Sequence, residues 1–129
     1  MNKIIFTLLF SLSFSLPALA DGDHTADFCS ATDKTVCAHI GHMKGMKSKG
    51  ESEFVLDIVV KKPVSNVKVD LWMPEHNHGS TPVEMSPYKK NKYKVKKAMF
   101  SMPGKWHVRA EFDIEKEHHK LEIPLDISK

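Results

Sequence analysis

From residue 53 to the end of the chain, apolar and polar residues alternate with a period of two, which indicates half-buried β-strands. The alternation is strongest in three segments, where branched and aromatic residues recur at every second position. Mostly polar or charged residues occupy the positions between them, so each segment predicts a strand with one face on an apolar core. The predicted core faces are Phe54, Leu56, Ile58 and Val60; Trp106, Val108, Ala110, Phe112 and Ile114; and Leu121, Ile123, Leu125 and Ile127.

Three weaker strands are predicted between the first and the last two of these segments. One covers residues 67–73 and ends at Pro74, because proline cannot donate a hydrogen bond to the ladder. A short strand is expected over residues 82–85, and another alternates apolar residues with lysines over residues 92–96. Five or six short strands without a helical segment predict an all-β fold, namely a small antiparallel immunoglobulin-like β-sandwich over residues 53–129.

Residues 21–52 show neither a helical nor a strand period, and they predict an irregular arm that contains His, Met and Cys. Both cysteines of the chain, Cys29 and Cys37, lie in this arm. In an exported protein such a pair favours a disulfide, which would stabilise the fold by roughly 2–3 kcal/mol. The alternative is a thiolate pair that binds a soft metal together with His39 and His42.

Residues 1–20 have the features of a secretory signal peptide. Lys3 precedes an unbroken stretch of apolar residues and Ser, and Ala18-Leu19-Ala20 places small residues at the −3 and −1 positions of a cleavage site. We expect cleavage before Asp21. Because the apolar stretch is too short for a stable membrane span, we expect no membrane insertion after its removal. The mature protein is therefore predicted to be periplasmic, or secreted.

Charge and motif content argue against two classes of function. The formal net charge is only +3 at pH 7, which gives no reason to expect a nucleic-acid partner. A nucleophile with a base and an orienting acid cannot be assembled from any recognisable motif, and the carboxylates are spread along outward strand faces. We therefore expect a protein that is not an enzyme.

Histidine and methionine are bunched, and all eight His residues follow the predicted signal peptide. Thioether sulfur is soft and binds Cu(I), and imidazole suits both oxidation states of copper, whereas zinc sites do not use methionine. The bunching therefore predicts copper as the bound metal. The three clusters are His39, His42, Met43 and Met46 in the arm; Met73, His76 and His78 after the second predicted strand; and Met99, Met102, Trp106 and His107 at the start of the fifth.

His76 and His78 form the predicted centre of the copper site. Two residues apart on extended backbone, they point to the same side with their α-carbons about 7 Å apart. If successive strands alternate in direction and the strand at residues 82–85 exists, the second and third clusters meet at one pole of the sandwich, where the arm also enters. The alternatives are that Met73 and Trp106 pack in the core and that His107 has no specific role. The predicted completing ligands are Met73, Met102 and His107, and the predicted secondary metal set is His39, His42, Met43 and Met46.

Two motifs in a fixed order carry a family resemblance. Leu71-Trp72-Met73-Pro74 is followed by His76-Asn77-His78-Gly79, and Tyr93 then precedes Phe100-Ser101-Met102-Pro103-Gly104-Lys105-Trp106-His107-Val108. On these residues, the run from 67 to 112 resembles the YtkA-like and FixH-like family of exported or membrane-tethered β-sandwich domains. The resemblance implies an immunoglobulin-like fold at the cell envelope and, for some members, a link to copper handling or cytochrome oxidase assembly. The chain departs from FixH-like members because no retained membrane helix is expected.

The sequence thus supports two hypotheses of different class. The first is a periplasmic, non-enzymatic copper-binding or copper-trafficking protein that exchanges the metal with a donor or acceptor protein of the envelope. The second is an envelope interaction or structural module without a metal, in which a sandwich edge or the basic segment at residues 89–97 docks a partner.

Overall fold

Two antiparallel β-sheets make up the fold in the computed structural model, which describes residues 24–129. The first sheet has the strand order β1-β2-β3-β7-β6 and the second has the order β5-β4-β8-β9. This confirms the predicted small antiparallel β-sandwich. The strands of the described part are β1 Phe28–Cys29, β2 Cys37–Lys44, β3 Glu51–Val59, β4 Val64–Met73, β5 His78–Gly79, β6 Glu84–Lys89, β7 Lys92–Met99, β8 Gly104–Ile114 and β9 Glu117–Ile127.

The core lies between the two sheets and includes most of the side chains that the period-two alternation assigned to it. Trp106 and Phe112 from β8 and Phe54 and Leu56 from β3 are almost completely buried. Burying each large apolar side chain stabilises the fold by about 1.5–3 kcal/mol relative to leaving it exposed. The other nearly inaccessible side chains of the core are Ile40, Ile58, Leu71, Met73, Val95, Phe100, Val108, Leu121 and Ile123.

The structure corrects the prediction of an irregular arm over residues 21–52. Residues 37–44 form β2, which pairs with β1 on one side and with β3 on the other. The alternation in β2 is hard to detect because its inward positions include the small residue Ala38 and because its register with β3 shifts after Gly41. The sandwich therefore begins before residue 53. The buried side chains of this stretch are Val36, Cys37, Ala38 and Ile40.

Cys29 and Cys37 form a disulfide that joins β1 to β2, as predicted. The two residues are direct partners in the β1–β2 register. The bond therefore staples a very short edge strand to the sheet and removes both thiolates from the list of candidate metal ligands.

Among residues 24–129, no helix is long and apolar enough to cross a membrane. The predicted signal peptide, residues 1–20, lies outside the described residues.

Replacing both Cys29 and Cys37 with Ser should lower the free energy of unfolding by roughly 2–3 kcal/mol, because the open chain gains conformational entropy when it unfolds. Urea denaturation under non-reducing conditions measures this change. The wild-type protein, once reduced with dithiothreitol, serves as the control and should unfold at the midpoint of the double variant. A urea midpoint in the variant equal to that of the oxidised wild type would show that the disulfide does not stabilise the fold.

Candidate metal centre

Three chain segments that carry His or Met residues meet at one end of the sandwich, which we call the His/Met pole. They are residues 45–50 between β2 and β3, residues 74–83 between β4 and β6, and residues 100–103 between β7 and β8. The strand predicted at residues 82–85 exists, but it lies at Glu84–Lys89 as β6, and the alternation of strand direction holds. The turns at 76–78 and 102–104 therefore lie at the same pole, as the strand parity predicted.

Hydrogen bonds hold these three segments together. The Ser80 hydroxyl donates to the carbonyl oxygen of Met99 at 2.6 Å. The backbone N–H of Lys49 donates to the carbonyl oxygen of Phe100 at 2.8 Å. The end of β7 is thus tied to both neighbouring segments, and the pole has a defined arrangement.

His76 and His78 lie side by side at this pole. The chain turns sharply after Pro74, where the N–H of Asn77 donates to the Pro74 carbonyl oxygen at 3.3 Å. Asn77 adopts a left-handed conformation with φ of 50°, which Asn tolerates better than most residues. The two imidazole centroids are 6.0 Å apart, and their planes are tilted by 38°. His76 is exposed, whereas His78 is half-buried.

The protonation site of His78 follows from its hydrogen bond. Its Nδ1 is 3.1 Å from the carbonyl oxygen of Gly79. Since a carbonyl oxygen only accepts, Nδ1 carries the proton, and the neutral ring keeps its lone pair on Nε2. A backbone carbonyl on Nδ1 is the arrangement that commonly orients an imidazole for metal binding through Nε2.

His78 packs against the most deeply buried aromatic cluster of the pole. Its ring centroid is 5.5 Å from that of Trp106, with an interplanar angle of 73°. Trp106 in turn meets Phe100 edge-to-face at 5.3 Å. The indole Nε1–H donates to the carbonyl oxygen of Met102 at 3.0 Å, which fixes the 100–103 turn against the same tryptophan. The core therefore determines where His78 and Met102 stand.

The two methionines predicted as ligands differ in burial. Met73 is 1% exposed and packs in the core, which was the alternative interpretation of this residue. Its Cε would be only 2.7 Å from a Cβ added to Gly104, so the methyl end of the thioether reaches the 102–104 turn. Met102 is half-buried and packs against the core from the turn itself. Both thioethers thus belong to the His/Met pole.

The structure does not bring His107 to this group, which corrects its assignment as a completing ligand. Consecutive strand residues point to opposite faces, and Trp106 points into the core. His107 therefore lies on the outer face of the second sheet. There it is the cross-strand partner of Trp72, and its Nδ1 is 3.6 Å from a carboxylate oxygen of Glu122.

The four residues of the predicted secondary set separate into two pairs. Met43 and Met46 are partly buried and pack against the core. His39 lies on the outer side of β2, where its Nδ1 is 2.8 Å from a carboxylate oxygen of Asp27, and His42 is exposed. The sequence interpretation combined these residues because they are close along the chain, whereas β2 directs them to different surroundings.

Sequence reasoning missed one imidazole close to His39 and His42. The ring centroid of His24 is 5.9 Å from that of His39 and 5.4 Å from that of His42. His24 is far from both residues along the chain. The segment before β1 shows no hydrophobic period from which its position could be predicted. A glycine inside a strand, Gly41, is the signal that could have indicated a close approach here.

Apart from Tyr93, whose pKa is raised by burial, the perturbed pKa values of the described residues arise from hydrogen-bonded surface pairs. A hydrogen bond from Asn66, assisted by His118, lowers the pKa of the Asp113 carboxyl. The hydrogen bond with Asp70 raises the pKa of Arg109, whose guanidinium also lies 4.5 Å from the Trp72 ring centroid. These pairs stabilise strand neighbours on the outer faces of the sheets.

Within residues 24–129, no group of three or more His, Cys, Asp or Glu side chains stands in ligating geometry. The candidate centre therefore consists of two imidazoles, His76 and His78, with the thioethers of Met73 and Met102 at the same pole. A mixed set of nitrogen and thioether donors matches the ligand preference of Cu(I).

A family model described as YtkA-like matches residues 30–111 of the chain. The matched region runs from the disulfide loop through β2 to most of β8, so it includes the strand that the sequence interpretation had assigned to the arm. No curated protein and no solved structure matches the chain.

Replacing Gly104 with Ala should lower the free energy of unfolding by about 1–3 kcal/mol, because Gly104 has a φ of 135° that L-residues rarely adopt. Urea denaturation measures the change. Gly50→Ala is the matched control, since nothing lies within 4 Å of a Cβ added there, and it should leave the midpoint nearly unchanged. Equal midpoints for the two variants would show that the Met-Pro-Gly turn does not require glycine.

Proposed function

This chain belongs to the YtkA-like family, and we propose that it is a non-enzymatic copper-binding or copper-trafficking protein of the cell envelope. The observation that carries the proposal is the meeting of His76, His78, Met73 and Met102 at one pole. At the His/Met pole, His78 and Met102 both contact one buried tryptophan, Trp106. Copper is the biological metal that this donor combination suits best.

His78 is the proposed anchor of the site. Its Nδ1–H is held by the Gly79 carbonyl, and its ring is held by Trp106, so Nε2 is available in a restricted orientation. His76 supplies the second nitrogen from an exposed turn. Met102, half-buried beside the same tryptophan, supplies a thioether, and Met73 lies behind it in the core.

The exposure gradient of these ligands supports metal exchange with an envelope partner. His76 is open to solvent, His78 is half-buried and Met73 is almost fully buried. A partner can displace the exposed imidazole first and the deeper donors afterwards. Stepwise displacement of this kind suits a transfer protein better than a storage site with closed coordination. The proposal includes export by the predicted signal peptide, residues 1–20, to the periplasm or the outside of the cell.

Anaerobic titration with Cu(I) against a competing chelator tests the site. The double variant His76→Ala/His78→Ala should lose at least tenfold in Cu(I) affinity, because it removes both nitrogen donors. His118→Ala is the matched control, because His118 is an exposed histidine that pairs with Asp113 away from the His/Met pole. Its affinity should equal that of the wild type.

Fluorescence gives a second readout for the same titration. In a Trp72→Phe background the only remaining tryptophan is Trp106, which touches His78. Cu(I) should quench this emission in the parent and not in the double variant. Wild-type affinity in the double variant would contradict the proposed site.

The rival function, an envelope docking module, is favoured by a different observation. Tyr88 is 41% exposed on β6, an edge strand of the first sheet, and the ammonium groups of Lys89 and Lys94 lie 5.2 and 4.7 Å from its ring centroid. An unpaired edge with an aromatic ring between cations suits an extended anionic segment of a partner.

Reversing Lys89 and Lys94 to Glu separates the two functions. If docking is the function, a partner retained from the native envelope fraction is lost in Lys89→Glu/Lys94→Glu and kept in His76→Ala/His78→Ala. If the copper function holds, the lysine variant keeps wild-type Cu(I) affinity. Affinity purification followed by mass spectrometry and the chelator titration measure the two outcomes.

A further inference from the structure

We propose that His24, His39 and His42 form a second metal site, for a divalent first-row cation and above all Cu(II). The site lies on the β1–β2 edge of the first sheet and goes beyond the proposed Cu(I) function at the His/Met pole. The centroid of His24 is 5.4 Å from that of His42 and 5.9 Å from that of His39. Two imidazoles that share an ion at about 2.0–2.1 Å from each nitrogen have centroids roughly 5 Å apart in tetrahedral geometry.

Backbone contacts determine where His24 stands. The N–H of Thr25 donates to the carbonyl oxygen of Ile40 at 2.9 Å. The Ile40 N–H donates in return to the Thr25 hydroxyl at 2.9 Å. The segment that precedes β1 is thus held along β2, and the disulfide holds β1 itself on the same strand. His24 is therefore positioned by the fold rather than by chance contact.

The absence of a side chain at Gly41 makes room for His24. A Cβ added to Gly41 would collide with His24 Nδ1 and would lie 2.8 Å from His24 Cε1. Glycine inside a strand commonly marks a close approach of another group. Gly41 is buried, and the group that covers it is the imidazole of His24.

His39 shows the hydrogen bonding of a metal-binding imidazole. Its Nδ1 is 2.8 Å from Asp27 Oδ1, and since an ionised carboxylate only accepts, Nδ1 carries the proton. The other ring nitrogen, Nε2, lies 3.4 Å from Asp57 Oδ2, and the Lys92 ammonium lies 3.4 Å from the same oxygen. A metal cation bound at Nε2 would take the place of this ammonium beside the carboxylate. A carboxylate on the distal nitrogen is a frequent partner of metal-binding histidine.

The site is open enough for an ion to enter and for the ligands to adjust. His39, Asp27 and Asp57 are among the residues that line a cleft of about 960 Å³, which His24 and His42 do not line. The three rings do not yet stand in ligating geometry, since His24 meets His39 and His42 edge-to-face at 88° and 77°. His24 and His42 are both exposed, so rotation of their side chains closes the remaining distance.

The donor set selects a borderline metal rather than a soft one. It contains imidazole nitrogens and the carboxylate of Asp57, while Cys29 and Cys37 are bonded to each other. Imidazole suits Zn(II), Ni(II) and Cu(II), and Cu(II) has the highest affinity of these for a given site. The His/Met pole, which offers thioether donors, therefore favours Cu(I). The β1–β2 edge, which offers imidazole and carboxylate donors, favours Cu(II).

Titration of the exported protein with Cu(II) and, separately, Zn(II) by isothermal calorimetry tests this second site. His24→Ala and His42→Ala should each weaken Cu(II) binding at least tenfold, and electron paramagnetic resonance should lose nitrogen couplings. His118→Ala should bind Cu(II) as the wild type does. Gly41→Ala removes no ligand but displaces His24, so it should also weaken binding at least tenfold, whereas the matched Gly50→Ala should not.

The failure of this proposal is distinguishable from the failure of the Cu(I) site. The variant His76→Ala/His78→Ala should keep wild-type Cu(II) affinity and an unchanged resonance spectrum. Wild-type Cu(II) binding in both His24→Ala and His42→Ala would overturn the proposal, as would loss of Cu(II) binding in the His76/His78 double variant alone. If Gly41→Ala does not fold, as judged by circular dichroism, the two exposed histidine variants decide the question.

Discussion

Burial of Trp106 between the two sheets is the contact on which the geometry of the His/Met pole depends. Its indole ring packs against Phe100 and His78, and its N–H donates to the carbonyl of Met102. A buried indole N–H needs a partner, so the tryptophan fixes the 100–103 turn as well as filling the core. The positions of His78, Met102 and Met73 are therefore a consequence of core packing.

The same packing separates two kinds of donor. Methionine is apolar and packs with the core, and at the His/Met pole the half-buried Met102 brings a thioether close to solvent. Imidazole is polar and lies on outer faces and edges, as His39, His42 and His107 do. Mixed thioether and imidazole coordination is therefore possible at the His/Met pole, while the β1–β2 edge offers imidazole and carboxylate only. Both proposed metal sites follow from this partition.

The sequence predicted the parts of the fold in which side-chain alternation is strong. β8 and β9 were identified because bulky and polar residues alternate without interruption, whereas β2 was missed because Ala38 and Gly41 weaken its pattern. Strand parity placed His76, His78 and Met102 at one pole, but His107 was misassigned because its neighbour Trp106 takes the inward position. His24 could not be assigned, because its place depends on hydrogen bonds between Thr25 and Ile40, which no local pattern encodes.

X-ray absorption spectroscopy of the protein loaded with one equivalent of Cu(I) tests the central claim most directly. The account predicts a first shell that contains both imidazole nitrogen and thioether sulfur, with the sulfur contribution reduced in Met102→Leu, which keeps the size and apolar character of the side chain. A shell of nitrogen and oxygen alone in the wild-type protein would contradict it, because the thioethers would then take no part in binding the metal.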